Sequence, residues 1–318
     1  MRAALYDRYG PPEVLYQGTV PKPVAGPGEV LVRVHAASVN SAELAGRAGR
    51  LRPLTAAAGW GFPKRAGMDF TGEVAALGSP RSGLRTGDRV WGVLPRTFGS
   101  AAEFVAVRPR QLAFAPPGLD PVRAAALPGV GTTAITALRD QARLAAGERL
   151  LVRGASGGVG SVAVQLGRAC GARVTALAGA GNLDLVRDLG ADEAFDYATT
   201  GAADLGPFDV VLDTVGTDFA AYRRLLAPGG RMVSITFDHR HPVASLGYLL
   251  ASAAFGPRRV RFFSGHPTHQ LLVDLAQLVQ EGAIRPVVDT VYPLADIARA
   301  HRALEAGGVR GKIVVAVG

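Results

Sequence analysis

The sequence predicts an α/β protein with a doubly wound parallel sheet in its middle and a β-rich first third. Three observations carry this. Residues 149–168 read as strand, glycine turn and helix. Apolar runs then alternate with helical stretches as far as Thr236, which is the rhythm of parallel βαβ units. Residues 1 to about 122 instead hold short strands punctuated by Gly and Pro, the pattern of a compact β-barrel or sandwich.

The central stretch carries the most specific chemistry. Leu150, Leu151 and Val152 form a buried strand, 154–160 a tight turn, and Val162, Val164, Leu166 and Ala169 continue as an apolar helix. Such a turn aims backbone N–H groups and a helix N-terminus at a phosphate. The spacing is Gly154-x-x-Gly157-x-x-Gly160 rather than the usual G-x-G-x-x-G. The same letters also satisfy G-x-S-x-G around Ser156, the turn that presents a nucleophilic serine in some hydrolases. The segments that follow favour the phosphate cradle, because ligands of doubly wound sheets bind beyond the carboxyl ends of the strands.

Those segments are a strand over 173–178, a helix over 182–189 ended by Gly190, and a short strand at 194–195. A strand over 208–213, a helix over 222–226 closed by Pro228-Gly-Gly, and a strand over 231–236 come next. A less regular stretch with Gly247, Gly256 and Pro257 precedes a sixth strand over 259–264. Leu271, Leu272, Leu275, Leu278 and Val279 give 269–281 one apolar helical face. A strand over 287–291, a helix over 294–306 and a strand over 312–317 complete the chain. In the first third, strands are predicted over 30–35, 72–77, 88–93 and 102–107, and helices over 123–127 and 133–143 lead into the centre.

Composition narrows the functional classes. With 48% hydrophobic and 19% charged residues in 318, the chain has the make-up of a soluble globular protein with room for two cores. Charges near Met1 occupy the place of a signal peptide's apolar run, and the nearly uncharged stretch 242–257 is too short to span a bilayer, so a cytoplasmic protein is expected. The formal charge is +9, yet of 35 basic side chains all but Lys22, Lys64 and Lys312 are arginine, and they are scattered. The densest cluster is Arg258-Arg259-Val-Arg261, which argues against a nucleic-acid groove. A single cysteine, Cys170, excludes an intrachain disulfide and a multi-cysteine metal site, and its place at the end of a helix predicts a small buried residue.

The order of motifs resembles the zinc-independent quinone oxidoreductase branch of the medium-chain dehydrogenase/reductase superfamily. The segments that carry the resemblance are Pro27-Gly-Glu-Val-Leu-Val-Arg-Val, Ser38-Val-Asn40, Gly67-Met-Asp-Phe-Thr-Gly72 and Thr86-Gly-Asp-Arg-Val-Trp-Gly92. They continue with Gly99-Ser-Ala-Ala-Glu-Phe-Val, Ala124-Ala-Ala-Leu-Pro128, 154–160, Asp213-Thr-Val-Gly216, Pro228-Gly-Gly-Arg and Arg310-Gly-Lys312. The resemblance implies a GroES-like β-barrel catalytic domain from residues 1–122 and 265–318, with a Rossmann dinucleotide-binding domain over 123–264 between its halves. Zinc-dependent relatives carry a cysteine after the strand over 30–36 and Gly-His-Glu at 67–69. Here Ser-Val-Asn and Gly67-Met68-Asp69 stand there, and the four-cysteine lobe is missing, so no metal is expected. The close histidine pairs, His239/His241 and His266/His269, read as solvated and without an acidic partner at matching spacing.

The resemblance also assigns roles. Asn40 should lie near the nicotinamide and substrate, the alternative being a turn asparagine. Glu43 stands where relatives have aspartate followed by an aromatic and a lysine, but Leu44 and Ala45 follow it here; a solvated carboxylate at a helix start is its alternative. Thr133 matches a threonine near the nicotinamide ribose or amide, or caps a helix. Ser156, Gly157, Gly158 and Val159 should cradle the pyrophosphate. Gly179 and Asn182 end the second strand with neither an acid for NADH nor a base for the NADPH phosphate, and Tyr197 should flank the adenosine phosphate. Val215, Thr236, Phe263 and Ser264 should border ribose and nicotinamide, with core packing the alternative for Phe263. Lys312 matches a recurrent family position, or is a solvated strand-edge residue.

The function implied is metal-free transfer of hydride from NADPH, with NADH as alternative, to a quinone or α,β-unsaturated carbonyl, with Asn40, Glu43 and Thr133 at the catalytic centre. Pairing through the sixth strand implies a homodimer. Two other readings stand beside it: a non-catalytic NADPH-binding redox sensor or RNA-binding relative, and a hydrolase using Ser156.

Overall fold

A computed structural model describes residues 1–50, 61–79, 83–94, 98–238, 241–254 and 259–318. The chain divides into two compact units. One comprises Met1–Gly129, Pro267–Glu281 and Pro286–Gly318, the other Val130–His266 and Gly282–Arg285.

The first unit opens with β1 (Arg2–Tyr6), β2 (Leu15–Thr19) and β3 (Val30–Ser38), followed by α1 (Ser41–Arg47). Strands β4 (Lys64–Arg65), β5 (Asp69–Leu77), β6 (Arg89–Val93), β7 (Phe104–Val107) and β8 (Leu112–Phe114) follow, then the short α2 (Pro121–Ala124). Helix α3 (Pro128–Ile135) carries the chain into the second unit. There β9 (Arg149–Arg153), α4 (Gly158–Ala169), β10 (Arg173–Ala178), α5 (Leu183–Asp188) and β11 (Glu193–Asp196) precede β12 (Phe208–Asp213), α6 (Phe219–Arg224) and β13 (Leu226–Ser234). After α7 (Pro242–Ala254) and β14 (Val260–Phe262), the first unit is completed by α8 (His269–Gln280), β15 (Val288–Pro293), α9 (Ile297–Ala306) and β16 (Lys312–Ala316).

The first unit holds a three-stranded sheet, β2-β1-β4, and a seven-stranded one, β15-β16-β3-β5-β6-β8 with β7 on β3. Pairing in the larger sheet is antiparallel except between β15 and β16. Strand β3 is its centre, and Val30, Val32 and Val34 pack with Val74, Val90, Val105 and Val315 in one core. Both chain ends meet there, since β16 from the C-terminus pairs with β3 from the N-terminus.

The second unit is a six-stranded parallel sheet in the order β11-β10-β9-β12-β13-β14. The order reverses between β9 and β12, which places the topological switch point, where doubly wound sheets bind ligands, at the end of β9. Leu150, Leu151 and Val152 have no exposure, because strands in the middle of such a sheet are covered on both faces. Full burial of each is worth roughly 2 kcal/mol. Gln165 explains why Gly282–Arg285 packs here: its amide donates to Arg285 O (3.1 Å) and accepts from Arg285 N (2.9 Å).

Several elements depart from the sequence reading, each for a local reason. Pro228-Gly-Gly does not close a helix but lies inside β13, where the pairing with β12 shifts between Phe208 and Val210; two glycines allow that bulge. Helix α6 accordingly ends at Arg224, and Thr236 lies two residues past β13. The helix expected over 133–143 starts at Pro128 and changes to a π-helical turn over Thr136–Gln141. The irregular stretch after 238 contains α7, whose near-continuous apolar sequence hides a helical period. Strands β1 and β2 were not anticipated, helix α1 was foreseen only as the alternative setting for Glu43, and Cys170 is exposed rather than buried. His239 and Arg258 lie outside the described residues.

A buried ion pair ties the carboxyl ends of two central strands of the parallel sheet. Arg153, ending β9, meets Asp213, ending β12, at 2.8 Å, with side chains 7% and 0% exposed. The guanidinium also stacks 3.6 Å from the Tyr222 ring centre and donates to Thr217 O at 2.7 Å. Burial pushes the Asp213 carboxyl upward, opposed by Arg153, the N–H groups of Val215 and Gly216, and the Ser234 hydroxyl. Removing one partner strands the other without water. Arg153→Met should therefore lower the unfolding free energy in urea by about 3 kcal/mol, and a loss below about 1 kcal/mol would contradict the pairing.

Candidate active site

In the first unit a buried polar cluster forms where β3 ends. Strand β5 runs antiparallel to β3 and brings Asp69 opposite Ser38. Ser38 donates to Asp69 Oδ1 through both N (3.1 Å) and Oγ (2.8 Å). Asn40 caps α1 in extended conformation, and one turn on, Glu43 points back toward it. Asn40 Nδ2 lies within hydrogen-bond distance of Ser38 O (3.1 Å), Glu43 Oε1 (3.0 Å) and Asp69 Oδ1 (3.3 Å). Two amide hydrogens thus face three acceptors. From β16, Lys312 Nζ donates to Val39 O (2.5 Å) and Asn40 Oδ1 (2.8 Å), so the amide is held from both ends.

Glu43 is 5% exposed and Lys312 5%, so neither the solvated carboxylate nor the solvated strand-edge lysine describes them. The second carboxylate oxygen of Glu43 accepts from Gly67 N at 2.9 Å. Gly67 has φ +97°, and a Cβ there would sit 2.1 Å from Ala101 N, so only glycine brings that N–H to Glu43. Burial raises the Glu43 carboxyl to about 7, further raised by Asp69 and opposed by the bonds from Asn40 and Gly67 and by Lys312. Burial lowers the Lys312 ammonium, with Asp69 and Glu43 opposing.

Residues absent from the sequence reading complete the cluster. His301, on α9, is fully buried with Nε2 4.0 Å from Glu43 Oε2, and burial lowers it to about 3. Arg47 is buried beside it, donating to Gly10 O (2.6 Å) and pairing with Glu305. Asp69 stood in the motif over 67–72 but was given no role, and Arg47 and His301 carried no signal, because no local motif links residues brought together from β5, α1 and α9.

In the second unit, the predicted cofactor residues gather at the carboxyl ends of the parallel strands. Gly154, at φ +71°, leaves β9, and a Cβ on Gly160 would lie 2.1 Å from Gly154 O, so helix α4 starts tight against the turn. Gly157 caps α4 without a side chain, leaving the first-turn N–H groups of Gly158 and Val159 uncovered by it. A Cβ on Gly157 would meet nothing closer than 3.4 Å, so there is room above the helix end. An uncapped N-terminus of a twelve-residue helix with open space above it fits a pyrophosphate.

Around it, Asn182 Nδ2 donates to Ser156 Oγ at 3.3 Å. A nucleophilic serine needs an acceptor at that distance, so this contact speaks against the hydrolase reading. The Tyr197 ring, 66% exposed, lies beside Gly179, whose Cβ would be 3.4 Å from Cε1. Val215 follows β12 and is held by Asp213 Oδ1 (3.1 Å); its methyl borders Gly154. Thr236 is held by Ser234 Oγ, which donates to its carbonyl at 2.7 Å. Phe263 and Ser264 follow β14, with Phe263 half-buried, and Thr133 on α3 borders Gly265. Asn40, Glu43 and Lys312 are thus together in the first unit, and the other predicted residues are in the second.

Among the described residues no group of three or more His, Cys, Asp or Glu is placed to hold a metal, and no helix is long and apolar enough to cross a membrane. Of the histidine pairs, His241 has an acidic partner after all, Asp238 at 3.1 Å, and His269 Nδ1 is 2.7 Å from Leu112 O. The basic side chains include many in ion pairs, Arg2, Arg149, Arg231, Arg285 and Arg302 among them.

Glu43 gives the cluster a pH signature. Its folded carboxyl titrates above its unfolded value, so the folded state binds the extra proton between roughly pH 4.5 and 7. The sign follows: its contribution to stability is full below that window and lost as pH rises through about 7. Relative to Glu43→Gln, the wild type should lose on the order of 3 kcal/mol between about pH 4 and pH 8, read by urea unfolding at each pH. A parallel pair of curves would refute it.

Residues 26–117 match the family described as alcohol dehydrogenase GroES-like domain, and residues 189–315 the family described as zinc-binding dehydrogenase. The chain is 33% identical over 359 residues to the human mitochondrial NAD(P)H oxidoreductase RTN4IP1, covering 100% of this chain and 89% of that one. It is 32% identical to the 2-methylene-furan-3-one reductase of Solanum lycopersicum, covering 99% and 79%. The structure of the quinone oxidoreductase from Coxiella burnetii superposes with a TM-score of 0.91 at 31% identity, covering 100% and 99%. With its GroES-like and Rossmann-type units, the chain belongs to the quinone oxidoreductase branch of the medium-chain dehydrogenase/reductase superfamily.

Proposed function

We propose that this chain is a zinc-independent reductase that passes hydride from NADPH, or NADH, to a quinone or an α,β-unsaturated carbonyl. The observation that carries the reading is the buried cluster at the end of β3. Where zinc-dependent relatives place ligands, this chain has Ser38, Met68 and Asp69, and Ser38 Oγ is already committed to Asp69 Oδ1. A serine hydroxyl and a thioether are poor donors to zinc, which takes thiolate, imidazole and carboxylate. The names of the tomato reductase and the Coxiella oxidoreductase support an enone or a quinone as acceptor.

The bound nicotinamide would supply the hydride. On this reading Ser156, Gly158 and Val159 hold the pyrophosphate through their N–H groups, Gly157, whose own N–H donates to Gly154 O, leaves room above the helix end, and Gly179, Asn182 and Tyr197 flank the adenosine. Thr133, Val215, Thr236, Phe263 and Ser264 border the ribose and nicotinamide. Lys312, Asn40 and Glu43 set the polarity of the reaction centre through one hydrogen-bonded chain. Strand β14, at the edge of the parallel sheet, is the surface through which two copies would pair.

Chelator-treated protein should consume NADPH or NADH with an ortho-quinone and with a simple enone. Turnover lost to the chelator and restored by zinc would refute the metal-free mechanism, and tight cofactor binding without turnover would favour the sensor reading. Gly157→Ala tests the cradle separately. The methyl fits the fold but enters the open space, so cofactor affinity should fall about tenfold or more at unchanged Tm.

A further inference from the structure

We infer that Glu43 and His301 share a proton inside the first unit and that this proton sets how tightly the Asn40 amide is held. The pair is placed for it. Oε1 of Glu43 accepts from Asn40 and Oε2 from Gly67, so a proton on the carboxyl can reside on Oε2 and point at His301 Nε2, 4.0 Å away. Neither ring nitrogen of His301 has a hydrogen-bond partner among the described residues, although the side chain is fully buried. A buried imidazole with both nitrogens unpaired is costly, and a protonated Glu43 is the neighbour able to satisfy one. A side-chain shift of about 1 Å closes the gap to a hydrogen bond.

The surroundings favour keeping that proton on the carboxyl. Glu43 faces Tyr6 from β1, Asp69 from β5, His301 from α9 and Lys312 from β16, with Arg47 on its own helix paired to Glu305. Arg47 opposes a positive imidazole, so His301 stays neutral and serves as acceptor. With the proton in place, Glu43 adds no charge beside Asp69 and Lys312. Once it leaves, Glu43 is a second carboxylate, and its bond from Asn40 Nδ2 becomes charge-assisted and stronger. Of the two amide hydrogens shared among three acceptors, one is then drawn to Glu43. Ionisation therefore locks the amide that Lys312 orients from its other side, and protonation loosens it. Glu43 and His301 act through Asn40 and are positioning residues.

The kinetic consequence rests on the reductase reading; the proton sharing does not, and the experiment separates them. Infrared difference spectra of the full chain without substrate should show a protonated-carboxyl band that titrates near pH 7 and disappears in Glu43→Gln. In His301→Leu, which removes the acceptor, its midpoint should fall by about one pH unit, while His301→Gln, which keeps one, should restore much of the shift. No such band, or a midpoint that does not separate the Leu and Gln variants, overturns the shared proton whatever the enzyme reduces. With an ortho-quinone and the preferred nicotinamide cofactor, kcat should rise with pH through the same midpoint, as ionised Glu43 fixes the Asn40 amide, and become pH-independent in Glu43→Gln. An inflection that persists in Glu43→Gln overturns the control of Asn40, even with the band present.

Discussion

The structure depends on one constraint: ionisable groups taken out of water must find fixed partners. Both units place charges at the ends of central strands, where β-sheet geometry brings residues from distant parts of the chain side by side. In the first unit Asp69, Glu43 and Lys312 surround Asn40, and the amide links them because it donates at one end and accepts at the other. In the second, Asp213 accepts from Arg153 and from two backbone N–H groups. The desolvation cost is met by geometry that only the folded sheet provides, so these polar sites exist only when the sheets are correctly registered.

The two sites use burial to different ends. Arg153 and Asp213 are a matched pair, and their work is to hold 214–217, the segment that borders the glycine turn. The first-unit cluster is unmatched: two carboxylates meet one ammonium, so desolvation raises Glu43 and lowers Lys312 toward each other. Glu43, raised to about 7 in this way, can exchange a proton near physiological pH, which an exposed carboxylate cannot do. Asp69 Oδ2 adds to the tension: it has no partner among the described residues, and a Cβ on Gly129 would come within 2.8 Å of it.

The parallel sheet was legible in the sequence because its strands are buried on both faces and read as continuous apolar runs, as in Leu150-Leu-Val152 or Val210-Val-Leu212. The glycine turn was legible because Gly154, at φ +71°, and Gly160, where a Cβ would lie 2.1 Å from Gly154 O, have steric reasons to be glycine. Strand β13 was misread at its start because Pro228-Gly-Gly is the signature of a turn and of a bulge alike. Helix α7 was missed because an apolar sequence without a polar face has no visible period. Asn40, Glu43 and Lys312 were singled out from family motifs and lie together, but the burial of Glu43 and Lys312 was not foreseen, since a charged residue in a short helix or at a strand start is usually solvated. Asp69 stood in a quoted motif without a role, and His301 lay in a helix whose amphipathic pattern accounts for it without chemistry.

At the proposed adenosine end of the glycine turn, a motif changes while the architecture holds. Gly179-Ala-Gly-Asn182 supplies no charge to distinguish a ribose hydroxyl from a phosphate, yet Asn182 still bonds Ser156 and Tyr197 still lies over Gly179. The floor of the site is therefore kept by contacts that do not depend on the 2′ substituent. A cofactor held mainly by pyrophosphate contacts at a helix N-terminus loses little when that substituent changes, because the helix-end N–H groups see the same two phosphates in both cofactors. On the proposed function, discrimination between NADPH and NADH would fall to side chains beyond 179–182, and the physical expectation from this segment alone is a narrow preference rather than an exclusive one.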